Sequence, residues 1–163
     1  MVDDSNPFDF KDLSEYKHYI RNNEFRTFQG ELVKGYQELQ IANWLFQNSV
    51  NYLYEEPYKV DTSDTKRGQY KPDFYLPDYD IYIEHYGIDR NNNTAPYIAS
   101  KPYLDSINWK RELHATNGTI CIETFHYEFL ENTLQTGLQE RLEEHNVVIS
   151  DIPSAELIEF LKE

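Results

Sequence analysis

The sequence predicts an α/β domain in which a mixed central sheet is flanked by helices. Three observations carry this. Residues 36–47 repeat apolar side chains with a helical period, three runs rich in β-formers follow between 51 and 85, and a helical segment at 102–116 precedes a buried strand at 119–123. Three consecutive strands read as a meander. The strand–helix–strand unit from 80 to 123 should cross over right-handed and place its two strands in parallel.

Each element has its own signal. Residues 1–11 read as a flexible N-terminal arm, and residues 12–163 as a single domain. Leu13, Tyr16 and Ile20 stand at helical spacing in a short helix over 12–20, and an extended piece follows around 24–29. Over 36–47, Leu39, Ala42, Trp44, Leu45 and Phe46 form a broad apolar face. The run Asn51-Tyr52-Leu53-Tyr54-Glu55 is extended and stops at Pro57. Residues 69–76 and 80–85 are two further strands, joined through the turn sequence Leu76-Pro77-Asp78-Tyr79. Helix 102–116 ends at Gly118, a residue suited to the left-handed position that closes helices. A helix over 133–145, the apolar run Val147-Val148-Ile149 and a short helix from Pro153 complete the chain.

Composition narrows the function classes. The 163 residues are 39% hydrophobic and 27% charged, ordinary for a globular domain. No apolar run is long enough for a membrane helix, and Met1-Val2-Asp3-Asp4 lacks a signal-peptide core, so a cytoplasmic protein with no membrane partner is expected. The single cysteine, Cys121, excludes an internal disulfide, fits a reducing compartment and reads as core packing. The five histidines show no zinc-ligand spacing. A net charge of −14 argues against a general nucleic-acid binder. That charge is uneven: residues 1–58 carry −5, residues 59–111 are neutral and residues 112–163 carry −9. The middle holds the only base-rich stretch, with Lys59, Lys66, Arg67, Lys71, Arg90, Lys101, Lys110 and Arg111.

One pair of acids stands out. Asp73 follows Pro72 in one strand and Glu84 lies in the next, with ten residues between them, so a hairpin brings both to one edge of the sheet. Phosphodiester hydrolysis needs a divalent cation to activate water and to offset charge developing on phosphorus. Mg²⁺ and Mn²⁺ favour carboxylate oxygens completed by water and substrate phosphate. Glu38, on the 36–47 helix, is the natural third carboxylate.

The order of Glu38 on the first helix, Pro72-Asp73 on the second strand and Glu84 on the third resembles the PD-(D/E)XK nuclease fold, with its restriction-endonuclease-like αβββαβ core. The wording is similar to one branch, the nuclease-like domain of UvrD-like, helicase IV-type bacterial DNA helicases. The segments that carry this resemblance are Gly35-Tyr36-Gln37-Glu38-Leu39-Gln40-Ile41-Ala42-Asn43-Trp44-Leu45, Tyr54-Glu55-Glu56-Pro57-Tyr58, Pro72-Asp73-Phe74-Tyr75-Leu76-Pro77, Ile83-Glu84-His85-Tyr86-Gly87, Trp109-Lys110 and Ile122-Glu123-Thr124. The resemblance spans residue 12 to the end. It implies a Mg²⁺- or Mn²⁺-dependent deoxyribonuclease acting on DNA, with Asp73, Glu84 and Glu38 as metal ligands. It also implies a parent helicase polypeptide, in cis, that binds ATP elsewhere, since no P-loop sequence occurs here.

One departure bears on activity. The family places lysine two residues after the second acid, where this chain has Tyr86. His85 and Lys110 are the two candidates to replace that lysine, and the sequence does not choose between them. Tyr86, Tyr97 and Tyr103 are candidates to stack on unpaired bases. The competing expectations are a catalytically silent DNA-binding or interaction module of a helicase, and a protein-docking domain whose acidic C-terminal part faces a basic partner.

Overall fold

The computed structural model describes Phe8, residues 10–12, residues 14–15 and residues 24–162. Most of the helix expected over 12–20 and most of the arm lie outside the described residues. Within the arm, Phe10 is buried and Phe8 stacks on His126 with ring centroids 4.4 Å apart.

The elements run α1 (Tyr36–Gln47), β1 (Leu53–Tyr54), β2 (Phe74–Leu76), β3 (Ile81–Tyr86), α2 (Ser100–Asn117), β4 (Ile120–Phe125), α3 (His126–Leu130), α4 (Leu134–Glu144) and α5 (Ser154–Lys162). The chain is an α/β protein with a four-stranded mixed sheet in the order β1-β2-β3-β4. The pairs β1–β2 and β2–β3 are antiparallel, whereas β3 and β4 are parallel, with Glu84 opposite Glu123 and His85 opposite Thr124. Among the described residues no helix is long and apolar enough to cross a membrane.

Alternation along β3 divides the molecule into two layers. Ile81 and Ile83 join Ile122, Phe74 and Leu76 in the main core, which receives Ile41, Ala42, Trp44 and Leu45 from α1 and Leu134, Leu138 and Leu142 from α4. Tyr82 and Tyr86 face the other way, into aromatic clusters with Trp109, Leu113, Ile107 and Leu104 of α2. β3 is therefore covered on both sides and nearly sealed from solvent. The hairpin turn from β2 folds back through Tyr79 and Asp80 amides donating to the Leu76 carbonyl, with Asp80 at φ 55°. Gly118 closes α2 at φ 67°, the left-handed position its sequence suggested.

Two strands are shorter than their sequence runs. Residues 69–73 are not strand, because the ladder donors at 70 and 72 are spent or missing. The Tyr70 amide donates to Thr62 Oγ1 at 2.7 Å, Gln69 Oε1 accepts from the Thr62 amide, and Pro72 has no N–H to offer a ladder. β1 ends at Glu55, which takes φ 54° while its amide donates to the Asp73 carbonyl. Helix α3 has no periodic signal of its own. It forms where Glu128 turns back to accept from the Phe125 amide at 3.0 Å.

The same Glu128 anchors α4. Its buried carboxylate receives two bonds from Arg141, at 3.0 and 2.6 Å, and Arg141 also donates to the Glu123 carbonyl within β4. Removing one partner of such a pair leaves the other buried and uncompensated. Arg141→Met is expected to destabilise the fold by roughly 2–4 kcal/mol, allowing for partial exposure of the guanidinium. Denaturant unfolding measures this, and a midpoint within error of wild type would show the pair to be dispensable.

Candidate active site

Glu84 occupies the middle of β3 with only 1% of its surface exposed. A carboxylate at that depth must be compensated, and three groups converge on it. The Tyr70 hydroxyl donates to Oε1 at 2.6 Å. Lys110 Nζ lies 3.6 Å from Oε2. The Asp73 carboxyl shares a hydrogen bond with Glu84, which requires one proton between the two acids. Burial and then the Glu84 charge hold the Asp73 carboxyl well above the usual range, against the His85 amide and the Lys110 charge. Glu84 is also raised, by burial, while Lys110 and Tyr70 pull it back.

Each partner is delivered by a different element. Asp73 ends the loop before β2, and its Oδ2 accepts from the His85 amide at 2.7 Å, which ties the loop to β3. Lys110 projects from α2, with its ammonium 5.7 Å from the centroids of both Tyr70 and Tyr86. One turn further along the same helix face, His114 completes a relay. Because the Tyr70 hydroxyl donates to Glu84, it accepts from His114 Nε2 at 3.1 Å. His114 Nδ1 then accepts from Thr119 at 2.7 Å, and Thr119 from Tyr58 at 2.6 Å. Burial lowers the His114 pKa to about 4, which keeps the ring neutral and this orientation fixed.

Glu38 stands beside the pair without completing a three-ligand set. Its Oε2 accepts from Tyr54 at 2.6 Å and from the Lys34 amide at 3.3 Å. Burial, then the Asp73 charge, push its pKa up to about 8. Among the described residues, no three His, Cys, Asp or Glu side chains gather closely enough to hold a metal ion unaided. The donor set that does meet, the Asp73 and Glu84 carboxyls, is all oxygen. It fits a hard divalent cation that takes two carboxylates and completes its shell with water and substrate.

His85 lies close by in sequence but is directed to the opposite face of the sheet. Its Nε2–H donates to Gln37 Oε1 at 2.7 Å, and its Nδ1 accepts from Thr124 at 2.8 Å. Gln37 Nε2 passes the chain on to His126 Nδ1 at 2.9 Å. Burial holds the His85 pKa down to about 3. The ring is thus neutral and occupied on both nitrogens, a brace between α1 and the sheet. Tyr86, at the position where the resembling family carries lysine, buries its hydroxyl without a hydrogen-bond partner among the described residues. Tyr103 accepts from the Gly87 amide at 2.6 Å.

Tyr70, His114, Tyr54, Gln37 and Thr124 were not legible as site residues. His114 had a signal, its spacing of four from Lys110 on one helix face. Thr124 and Gln37 become visible only once register and helix packing are known. No protein-family model matches the chain, and no curated protein or solved structure is significantly similar to it.

The raised acids predict a pH signature. Between the ordinary carboxylate range near 4.5 and the folded value near 8, Glu38 binds more protons folded than unfolded. Folding stability is therefore expected to fall as pH rises through that window and to level off above it, once other groups are accounted for. In Glu38→Gln this part of the slope should vanish. Unfolding curves from pH 5 to 9 measure it, and an identical pH dependence in the variant would contradict the Glu38 assignment.

Proposed function

We propose that the chain is a PD-(D/E)XK nuclease-like domain with a restriction-endonuclease-like core, hydrolysing phosphodiester bonds in DNA with Mg²⁺ or Mn²⁺. The observation that carries this reading is the meeting of Asp73, Glu84 and Lys110 at one point: two carboxyls in contact, with an ammonium 3.6 Å from the buried one. The sequence resemblance supports the same reading and extends it to a domain of a UvrD-like, helicase IV-type DNA helicase.

Asp73 and Glu84 would hold the cation, with Glu38 as the third carboxylate within electrostatic reach. When bound, such a cation acidifies water and offsets charge on the phosphate. The chain's own groups do the rest. The pair must release its shared proton, which Lys110 favours by lowering the pKa of both acids. The Lys110 ammonium, on the α2 side with Glu84, is placed to offset negative charge on a bound phosphate. It is the replacement we assign for the family's lysine, ahead of His85, whose ring is committed to Gln37 and Thr124. Tyr70 and His114 are positioning residues that fix the Glu84 carboxylate.

A second reading, a silent DNA-binding or interaction module, is favoured by Tyr86, whose apolar ring and unpartnered hydroxyl replace a cation. Activity separates the two. The nuclease reading predicts that purified protein nicks DNA with Mg²⁺ or Mn²⁺ and that EDTA abolishes this. Asp73→Ala and Glu84→Ala should each lose activity. Lys110→Met should lower turnover at least tenfold with the fold intact, whereas no cleavage of any DNA by wild type would favour the silent module.

Stability gives an independent readout. A cation that binds only the folded state stabilises by about 1.4 kcal/mol at ten times Kd. For a domain of this size that raises Tm by roughly 3–6 °C. Asp73→Asn should melt no lower than wild type in EDTA yet lose the rise with metal at matched ionic strength. Equal metal responses in the two proteins would remove these acids as a metal site.

A further inference from the structure

Residues 65–72 carry three cations and no acid, in a chain whose net charge is −14. Lys66, Arg67 and Lys71 are exposed, and among the described residues none lies within salt-bridge distance of a carboxylate. Elsewhere the pattern is different. Lys59 pairs with Asp80, Arg90 with Glu131, Lys101 with Asp105, Arg111 with Glu123 and Arg141 with Glu128. These three exposed cations share one loop, and that loop supplies Tyr70 and Asp73 to the acidic pair.

The loop is held in shape by its own side chains. Asp64 Oδ1 accepts from the amides of Lys66 and Arg67 at 2.8 and 2.7 Å, and the Asp64 amide donates to the Arg67 carbonyl. Gln69 Nε2 bridges the Tyr58 and Val60 carbonyls. Arg67 is fixed further, its guanidinium 4.4 Å above the Trp109 ring. Trp109 meets Tyr70 edge-on at 5.7 Å, and Tyr70 binds Glu84. Three contacts therefore connect an exposed cation to the buried carboxylate.

We propose that Lys66, Arg67 and Lys71 form the surface on which the phosphate backbone of DNA lies as it enters the site, a proposal that rests on the nuclease-like reading above. A polyanion approaching a strongly acidic protein is repelled over most of its surface. Exposed cations on a braced loop that also supplies Tyr70 and Asp73 give it a favourable approach, and Arg67, held against Trp109, loses less freedom on binding than a mobile cation would. Each phosphate contact made by such a residue releases counterions, so binding weakens with salt at a slope of about 0.9 per contact on duplex DNA.

The test is fluorescence anisotropy of labelled duplex and single-stranded DNA in Ca²⁺, from 50 to 300 mM KCl. Three variants accompany wild type: K66Q/R67Q/K71Q, K66Q/K71Q, which keeps the Arg67–Trp109 contact in case the triple variant folds poorly, and the control Lys101→Gln. The triple variant should bind on the order of a hundredfold more weakly at 0.1 M salt, with a log–log slope shallower by about 2–3. The double variant should lose about 2 from the slope, and Lys101→Gln nothing. Unchanged affinity and slope in both loop variants, or a wild type that binds neither DNA, would overturn the proposal. Cleavage by wild type in Mn²⁺ is measured separately. Cleavage with normal loop-variant binding sinks this surface alone, whereas the predicted loss without any cleavage supports the surface and sinks the nuclease reading.

Discussion

The carboxylate of Glu84 is buried in the middle of β3, a strand covered on both sides, and groups from three other parts of the chain make that position tolerable. β3 takes an antiparallel neighbour on one side and a parallel one on the other. The hairpin brings Asp73 alongside, and the crossover between the parallel strands is α2, which brings Lys110 and His114. The loop that would otherwise be a plain connection from β1 to β2 is long enough to return Tyr70 over the same carboxylate. Without these partners the charge would cost several kcal/mol. With them it remains raised but compensated, sharing one proton with Asp73.

The opposite face of β3 carries a second polar line with a different character. Thr124, His85, Gln37 and His126 bond in sequence, their orientation set by the Gln37 amide, and every ring nitrogen of His85 is used. Buried polar groups that are fully paired specify one arrangement of the elements that bear them. Here the arrangement is that of α1 against β3 and β4, and α1 carries Glu38. The two networks therefore divide the labour. One braces the helix, and the other presents acids, a proton and an ammonium at a single point.

The backbone was more legible in the sequence than the side-chain site. Helix α1, the Leu76–Asp80 turn, the Gly118 stop and the mixed sheet follow from periodicity and turn chemistry, signals that are local. Strand β2 is shorter than its β-forming run because Thr62 captures the Tyr70 amide, an effect of a residue outside the run itself. Asp73 and Glu84 were placed together by counting along a hairpin. Lys110 was left level with His85, because which face of a strand a histidine takes, and which residue of a facing helix arrives opposite it, depend on packing. Tyr70 and His114 are not legible for the same reason: one lies in a loop, and the partner the other meets is set by helix packing.

The central claim is that the proton shared by Asp73 and Glu84 occupies the place of a divalent cation. A crystal structure grown at pH 8 and soaked in MnCl₂, with anomalous data collected near the manganese edge, tests it most directly. The account predicts one anomalous peak between these two carboxylates, about 2.1 Å from an oxygen of each, with the hydrogen bond between them broken. Saturating manganese that leaves the two acids in contact, with no peak beside them, would contradict it.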